Sequence, residues 1–137
     1  MPSPRHFRSG LAAGLLTLAA ASAQAQSADM IPPMRSAGAA SYTCGGIGSD
    51  ESTAMRQAMK GHRLSLLFAR PGGNYVADVA VTLKPAKGEA ITFNATGPIC
   101  LVDLPPGRYS VTAKAEGASK SQSVTVGGGN RRLDFRF

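Results

Sequence analysis

Gly97-Pro98-Ile99-Cys100-Leu101-Val102-Asp103-Leu104-Pro105-Pro106-Gly107-Arg108-Tyr109-Ser110-Val111-Thr112-Ala113-Lys114 decides the fold class. Ile99 to Leu104 is nearly all apolar, the pattern of a central strand covered on both faces. Pro105-Pro106-Gly107 then reverses the chain. From Arg108 the period is two: Tyr109, Val111 and Ala113 point inward, and Arg108, Ser110, Thr112 and Lys114 outward. A buried strand, a tight turn and a half-buried strand in succession describe a piece of a β-sandwich.

The same alternation extends in both directions. Leu64, Leu66 and Phe68 share one face of His62 to Ala69. Arg70-Pro71-Gly72-Gly73-Asn74 is a loop. From Tyr75 to Leu83, Tyr75, Ala77, Val79, Val81 and Leu83 face one way, and Val76, Asp78, Ala80 and Thr82 the other. Pro85-Ala86-Lys87-Gly88 turns into a strand carrying Ile91 and Phe93. Val124 and Val126 lie on a strand over 122–126, Gly127-Gly128-Gly129-Asn130 is a loop, and Leu133, Phe135 and Phe137 face inward at 132–137. Seven short strands separated by turn signals predict an all-β fold, a seven-stranded antiparallel sandwich of the Ig-like kind. No alternation of strand and helix supports a doubly wound sheet.

One segment stands outside this pattern. Ser49 is placed as an N-cap, with Asp50 and Glu51 at the positive end of a helix dipole, Lys60 at the other end and Gly61 at C′. Ala54, Met55, Ala58 and Met59 form a narrow apolar stripe between them. The expectation is one short N-terminal helix lying on the sandwich, preceded by a flexible leader over 26–41.

The first residues read as an export signal. Arg5, His6 and Arg8 precede an apolar run from Leu11 to Ala23, and Ala23-Gln24-Ala25 has the small-x-small form of a cleavage site. The run is shorter than the ~20 residues that span a bilayer. The expected boundaries are therefore 1–25 signal peptide, 26–41 leader and 42–137 domain, periplasmic or secreted, with no transmembrane segment after cleavage. Cys44 and Cys100 are the two cysteines. In an exported chain an even pair is expected to bridge, the alternative being two buried thiols.

The run Gly97 to Ala113, with Leu104-Pro105-Pro106-Gly107-Arg108-Tyr109-Ser110-Val111-Thr112-Ala113 at its centre and Glu116-Gly117 after it, resembles carboxypeptidase regulatory-like domains of the transthyretin-like sandwiches. Tyr75 to Val81 resembles an earlier strand of that family. Gly45-Gly46-Ile47-Gly48-Ser49-Asp50-Glu51 is similar to small exported proteobacterial proteins carrying such a domain. The resemblance covers 42–137 and implies an accessory or binding module without catalytic residues.

The chemistry-bearing residues agree with that expectation. The chain has a formal net charge of +7, but its basic residues are scattered, with Arg131-Arg132 the one adjacent pair. No basic run is interleaved with aromatics, so nucleic acid is not expected. His62 is the single histidine after the signal, and no G-x-S-x-G elbow accompanies it. Asp78 and Asp103, acids on otherwise apolar strands, are the candidates for a carboxylate pair of the glycoside-cleaving kind, but each is expected instead in a salt bridge with Arg or Lys. Gly45-Gly46-Ile47-Gly48 lacks the lysine of a phosphate loop, and Asp50 and Glu51 would repel an anion there. No metal or other cofactor is expected, and no enzyme. What remains is a non-catalytic module for a protein or glycan partner, or else a structural, envelope-associated protein. The absence of Trp removes the strongest platform for stacking sugars. Met55 and Met59 are candidates for an adaptable apolar partner contact, against a purely structural cover.

Overall fold

The computed structural model describes residues 30–74, 76 and 78–137, together with positions 2, 10 and 14. The expected cleavage site at Ala23-Gln24-Ala25, and Tyr75 and Ala77, lie outside the described residues. Among the described residues the chain forms β1 (Arg35–Ala37), β2 (Ala40–Gly45), α1 (Ser49–Ala58), a 3-10 turn (Met59–Gly61), β3 (Leu64–Ala69), β4 (Val79–Pro85), β5 (Ile91–Ala95), β6 (Ile99–Asp103), β7 (Gly107–Ala115), β8 (Ala118–Val126) and β9 (Arg131–Arg136).

The strands form two sheets. Sheet A runs β1-β2-β6-β3-β9 and sheet B runs β5-β4-β7-β8. Their inner faces meet in one core. Leu64, Leu66, Phe68, Cys100, Val102 and Phe135 come from sheet A, and Val79, Val81, Leu83, Phe93, Val111, Ala113 and Val124 from sheet B. Tyr42 of sheet A stacks on Phe93 of sheet B at a centroid distance of 4.1 Å, a geometry that adds to simple burial.

All seven expected strands are present, and the alternation expected for Arg108 to Lys114 holds: Val111 and Ala113 are fully buried. Ile99 to Val102 is buried residue after residue because β6 lies between β2 and β3 and is covered on its outer face as well. Two expectations about the architecture change. Among the described residues there are nine strands, because the leader and the residues around Cys44 contribute β1 and β2. The sandwich is also not wholly antiparallel, since β9 runs parallel to β3 from Leu64↔Arg131 to Ala69↔Arg136. Both strands leave the same end of the molecule, so side by side they must point the same way.

Two local readings change too. The alternation read across 75–83 breaks at Asp78, whose φ is +58°. Asp tolerates that region better than most residues. The break lets Val76 turn into the core, 1 % exposed, although simple alternation puts it on the side opposite Val79 and Val81. The helix begins one residue earlier than expected: Gly48 is the N-cap and Ser49 is already helical, with no side-chain cap. Gly61 closes the 3-10 turn and does not form a left-handed C′.

Helix α1 lies on the outer face of sheet A. Met55 packs with Ile99 and Leu101, and Ile31, Ala58 and Met59 border them. The stretch before β1 helps, since Thr43 Oγ1 donates to the carbonyl of Pro32 at 2.9 Å. The middle of sheet A, at β6, is thus covered on both faces, whereas Arg132, Asp134 and Arg136 of β9 stay exposed and sheet B has one face in the core and one exposed.

Candidate functional site

Cys44 and Cys100 are directly opposed residues of β2 and β6 and are joined by a disulfide, Cα–Cα 4.2 Å. This spacing is close to that of a non-hydrogen-bonded antiparallel pair, where side chains approach most nearly. Cys100 is fully buried and Cys44 half-buried. The bridge therefore locks the register of β2 on β6 at the position where helix α1 is about to begin.

The glycines after Cys44 have a steric role. Gly46 has φ +94°, and a Cβ there would lie 2.9 Å from Ile99 Cδ1. Its amide donates to Glu51 Oε1 at 2.7 Å. Glu51 thus tethers the loop before the helix, a use for an acid in the first turn that charge alone does not show.

Met55 is fully buried and Met59 half-buried, both in the cluster beneath α1. Both face β6: Met55 packs on Ile99 and Leu101 with no exposed surface, and Met59 borders them with part of its surface open.

Four connections gather at one end of the sandwich: β1 to β2, β4 to β5, β6 to β7, and β8 to β9. An open cavity of about 700 Å³ lies among the first three, lined by Gly38, Pro85, Ile91, Pro105, Pro106 and Tyr109 among others. A second, of about 580 Å³, adjoins it on the sheet B side and includes Lys84, Arg108, Ser110, Ser123 and Thr125. Pro85, Ala86, Arg108 and Tyr109 belong to both. Tyr109 is the fixed wall between them. Its ring is 7 % exposed, and its hydroxyl donates to the Pro105 carbonyl at 2.7 Å. Burial raises its pKa above the ordinary tyrosine value of 10.0. The β4–β5 loop is held against it by Ala86 N donating to the Arg108 carbonyl at 3.1 Å.

On the sheet A side of the same end, His62 Nδ1 donates to Asp103 Oδ2 at 2.8 Å. Arg63 N donates to Asp103 Oδ1 at 3.1 Å, and an Arg63 guanidinium NH donates to the Leu104 carbonyl at 3.0 Å. Asn130 Nδ2 donates to the carbonyls of Lys60 at 2.8 Å and His62 at 2.6 Å. The partner found for Asp103 is therefore His62, with the Arg63 backbone, and not the Arg or Lys side chain expected. Asp78 forms no ion pair among the described residues; it caps the β3–β4 connection through its φ. The His62–Asp103 pair was missed because it depends on β3 and β6 being antiparallel neighbours, with Leu64 opposite Val102. Periodicity gives each strand its faces and says nothing of which strand lies beside it.

A histidine oriented by a carboxylate is two thirds of a hydrolytic triad. The cleft around this pair is lined by Lys60, Gly61, His62, Arg63, Gly127, Gly129 and Asn130, and none of these carries a hydroxyl or thiol. What the arrangement does is anchor the 3-10 turn, the end of β6 and the β8–β9 loop to one another. Among the described residues no cluster of three or more His, Cys, Asp or Glu is placed to hold a metal ion, and no helix is long and apolar enough to cross a membrane. No family model matches the chain, and no curated protein matches it.

Proposed function

We propose that this chain is an exported, non-catalytic β-sandwich module of the carboxypeptidase regulatory-like kind that binds a protein or glycan partner in the cell envelope. One observation carries the reading: two adjoining cavities lie where connections converge at one end of a scaffold that is rigid beneath them. Loops positioned by a packed sandwich are the usual place for recognition. The disulfide supports an oxidising compartment.

The test is capture from envelope extract with the mature chain, beginning at Gln26 as intact mass should show. A discrete, stoichiometric partner is the expected result. Co-sedimentation with envelope fragments and no discrete partner would favour an assembly protein. An exported species that retains Arg5 and Arg8 would overturn the placement outside the cytoplasm.

A further inference from the structure

The outward face of sheet B is polar and exposed. Its four strands contain no Asp or Glu, and the outward positions carry Lys84, Arg108 and Lys114; Lys120, opposite the inward Ala113, belongs to the other side of β8. The register lays out the outward residues in rows. Thr92, Thr82, Thr112 and Ser121 form one row across all four strands. Asn94, Ala80, Lys114 and Ser119 form the next, and Lys84, Ser110 and Ser123 lie on the other side of the first. Arg108 and Thr125 follow. All of these residues are exposed except Thr82 and Thr112, which are half-buried. Ala80 is the one apolar side chain among them. Thr112 Oγ1 and Ser121 Oγ are hydrogen-bonded at 2.8 Å, so the central row is ordered.

Lys84 and Arg108 flank the cavity of about 580 Å³ that also holds Ser110, Ser123 and Thr125. Neither cation is in an ion pair among the described residues, and no acid lines that cavity. Lys114 stands at the far end of the face, roughly 13 Å away, since the Ala80 beside it is four residues along β4 from Lys84. Asp78 and Glu116 border Lys114, and Glu116 is engaged by Arg70. The anion-attracting end is therefore the Lys84–Arg108 end, with hydroxyls leading away from it.

We propose that this face binds an anionic polysaccharide, a carboxylated sugar chain whose acid groups meet Lys84 and Arg108 and whose hydroxyls meet the Ser and Thr rows. The proposal rests on the binding-module reading above and names its ligand class. Charge complementarity selects an anion. The hydroxyl rows select a ligand that is itself covered in hydroxyls. An acidic peptide would leave those rows without apolar or edge-strand docking. A nucleic acid would find no aromatic side chain on the face to stack its bases. With no aromatic platform either for the sugar rings, attraction must come from charge and hydrogen bonds, so binding should weaken steeply with salt.

The test is titration of the mature protein with oligogalacturonate at low and moderate salt, with neutral dextran, polyglutamate and single-stranded DNA in parallel. Oligogalacturonate should bind, dextran should not, and raising the salt should weaken binding at least tenfold. The double variant Lys84→Ala/Arg108→Ala should lose at least tenfold in affinity with an unchanged melting temperature, because both side chains are exposed. Thr112→Val should weaken binding a few-fold. Arg35→Ala/Lys60→Ala, which removes equal charge elsewhere, should leave it intact. No oligogalacturonate binding at low salt would overturn the proposal. So would equal losses in both double variants, or polyglutamate or DNA binding as tightly as the sugar. A discrete protein captured from envelope extract alongside any of those results would leave the broader reading standing and this one fallen.

Discussion

Gly97 shows how a single hydrogen can be a structural requirement. A Cβ there would run into the backbone of Gly45, including its carbonyl oxygen, and neither segment can swing aside because Cys44 and Cys100 are bridged next to them. Gly97→Ala should lower the melting temperature by about 5 °C or more, at an overpacking cost of about 1–3 kcal/mol. Gly72→Ala, where a Cβ meets nothing within 4 Å, should leave it within about 1 °C. Tyr109 gives a pH-dependent prediction. Burial raises its pKa in the folded state above 10.0, and the phenolate could no longer donate to Pro105. A group raised on folding contributes its stability fully below the unfolded value. That contribution is lost as pH climbs past 10 and through the folded value. Titration followed by tyrosinate absorbance should show a late-ionising component that is absent from Tyr109→Phe. A Tyr109 that ionises with the exposed model compound would contradict this. The requirement at Gly97 is not legible in the sequence, because its constraint comes from a segment some fifty positions away in the chain, which no local pattern reports.

Elements divide into those whose period announces them and those that neighbours create. Strands β3 to β9 carry apolar residues at every second position, or continuously where both faces are covered, except in the first half of β8, where Lys120 and Gln122 stand opposite Ala113 and Val111 and the strand is legible only from 122. The register claim for β7 is open to a paired test. Val111→Asp puts a charge in the core and should abolish cooperative melting. Thr112→Asp, on the outer face, should cost little more than its hydrogen bond to Ser121, on the order of 1 kcal/mol. Equal effects would mean that the faces are exchanged. Strands β1 and β2 were hidden because Arg-Ser-Ala and Ala-Ser-Tyr-Thr-Cys-Gly have no clear alternation. The pairing of β2 on β6, the pairing of β1 on β2, and the bridge make them strands. Helix α1 was visible in its apolar stripe, but the stripe alone could not tell a cover from a contact. Met55 is fully buried, so Met55→Ala should cost about 2–5 kcal/mol. Met59→Ala, at a half-buried site, should cost clearly less. Comparable losses in chemical denaturation would place both side chains under the helix to the same depth.

The whole molecule is stapled where its layers meet. The bridge spans 56 residues of sequence, so the chain-entropy model assigns it about 4 kcal/mol. Reduction under native conditions should lower the melting temperature by well over 10 °C, and thiol counting in denaturant should find none free before it. Two titratable thiols in the purified protein would remove the staple from the account. The asymmetry of the two sheets follows from the same connection. Having pinned β2 to β6, the chain turns through its glycines and spends its helix on sheet A, which leaves sheet B bare. That a sandwich exists was readable from periodicity. Which of its faces stays open was not, because it depends on where one short helix lands.

The parallel pairing of β3 with β9 also affects how the molecule is made. Leu64 has its neighbour on that side only when Arg131 arrives. At ~5–20 residues per second the wait lasts several seconds. For all of that time a strand reading Leu-Ser-Leu-Leu-Phe-Ala presents an unpaired backbone edge to anything nearby. A newborn chain in this state is open to edge-to-edge pairing until the closing strand is available. Interruptions of synthesis between Phe68 and Arg131 should therefore yield aggregates and not a smaller soluble fragment.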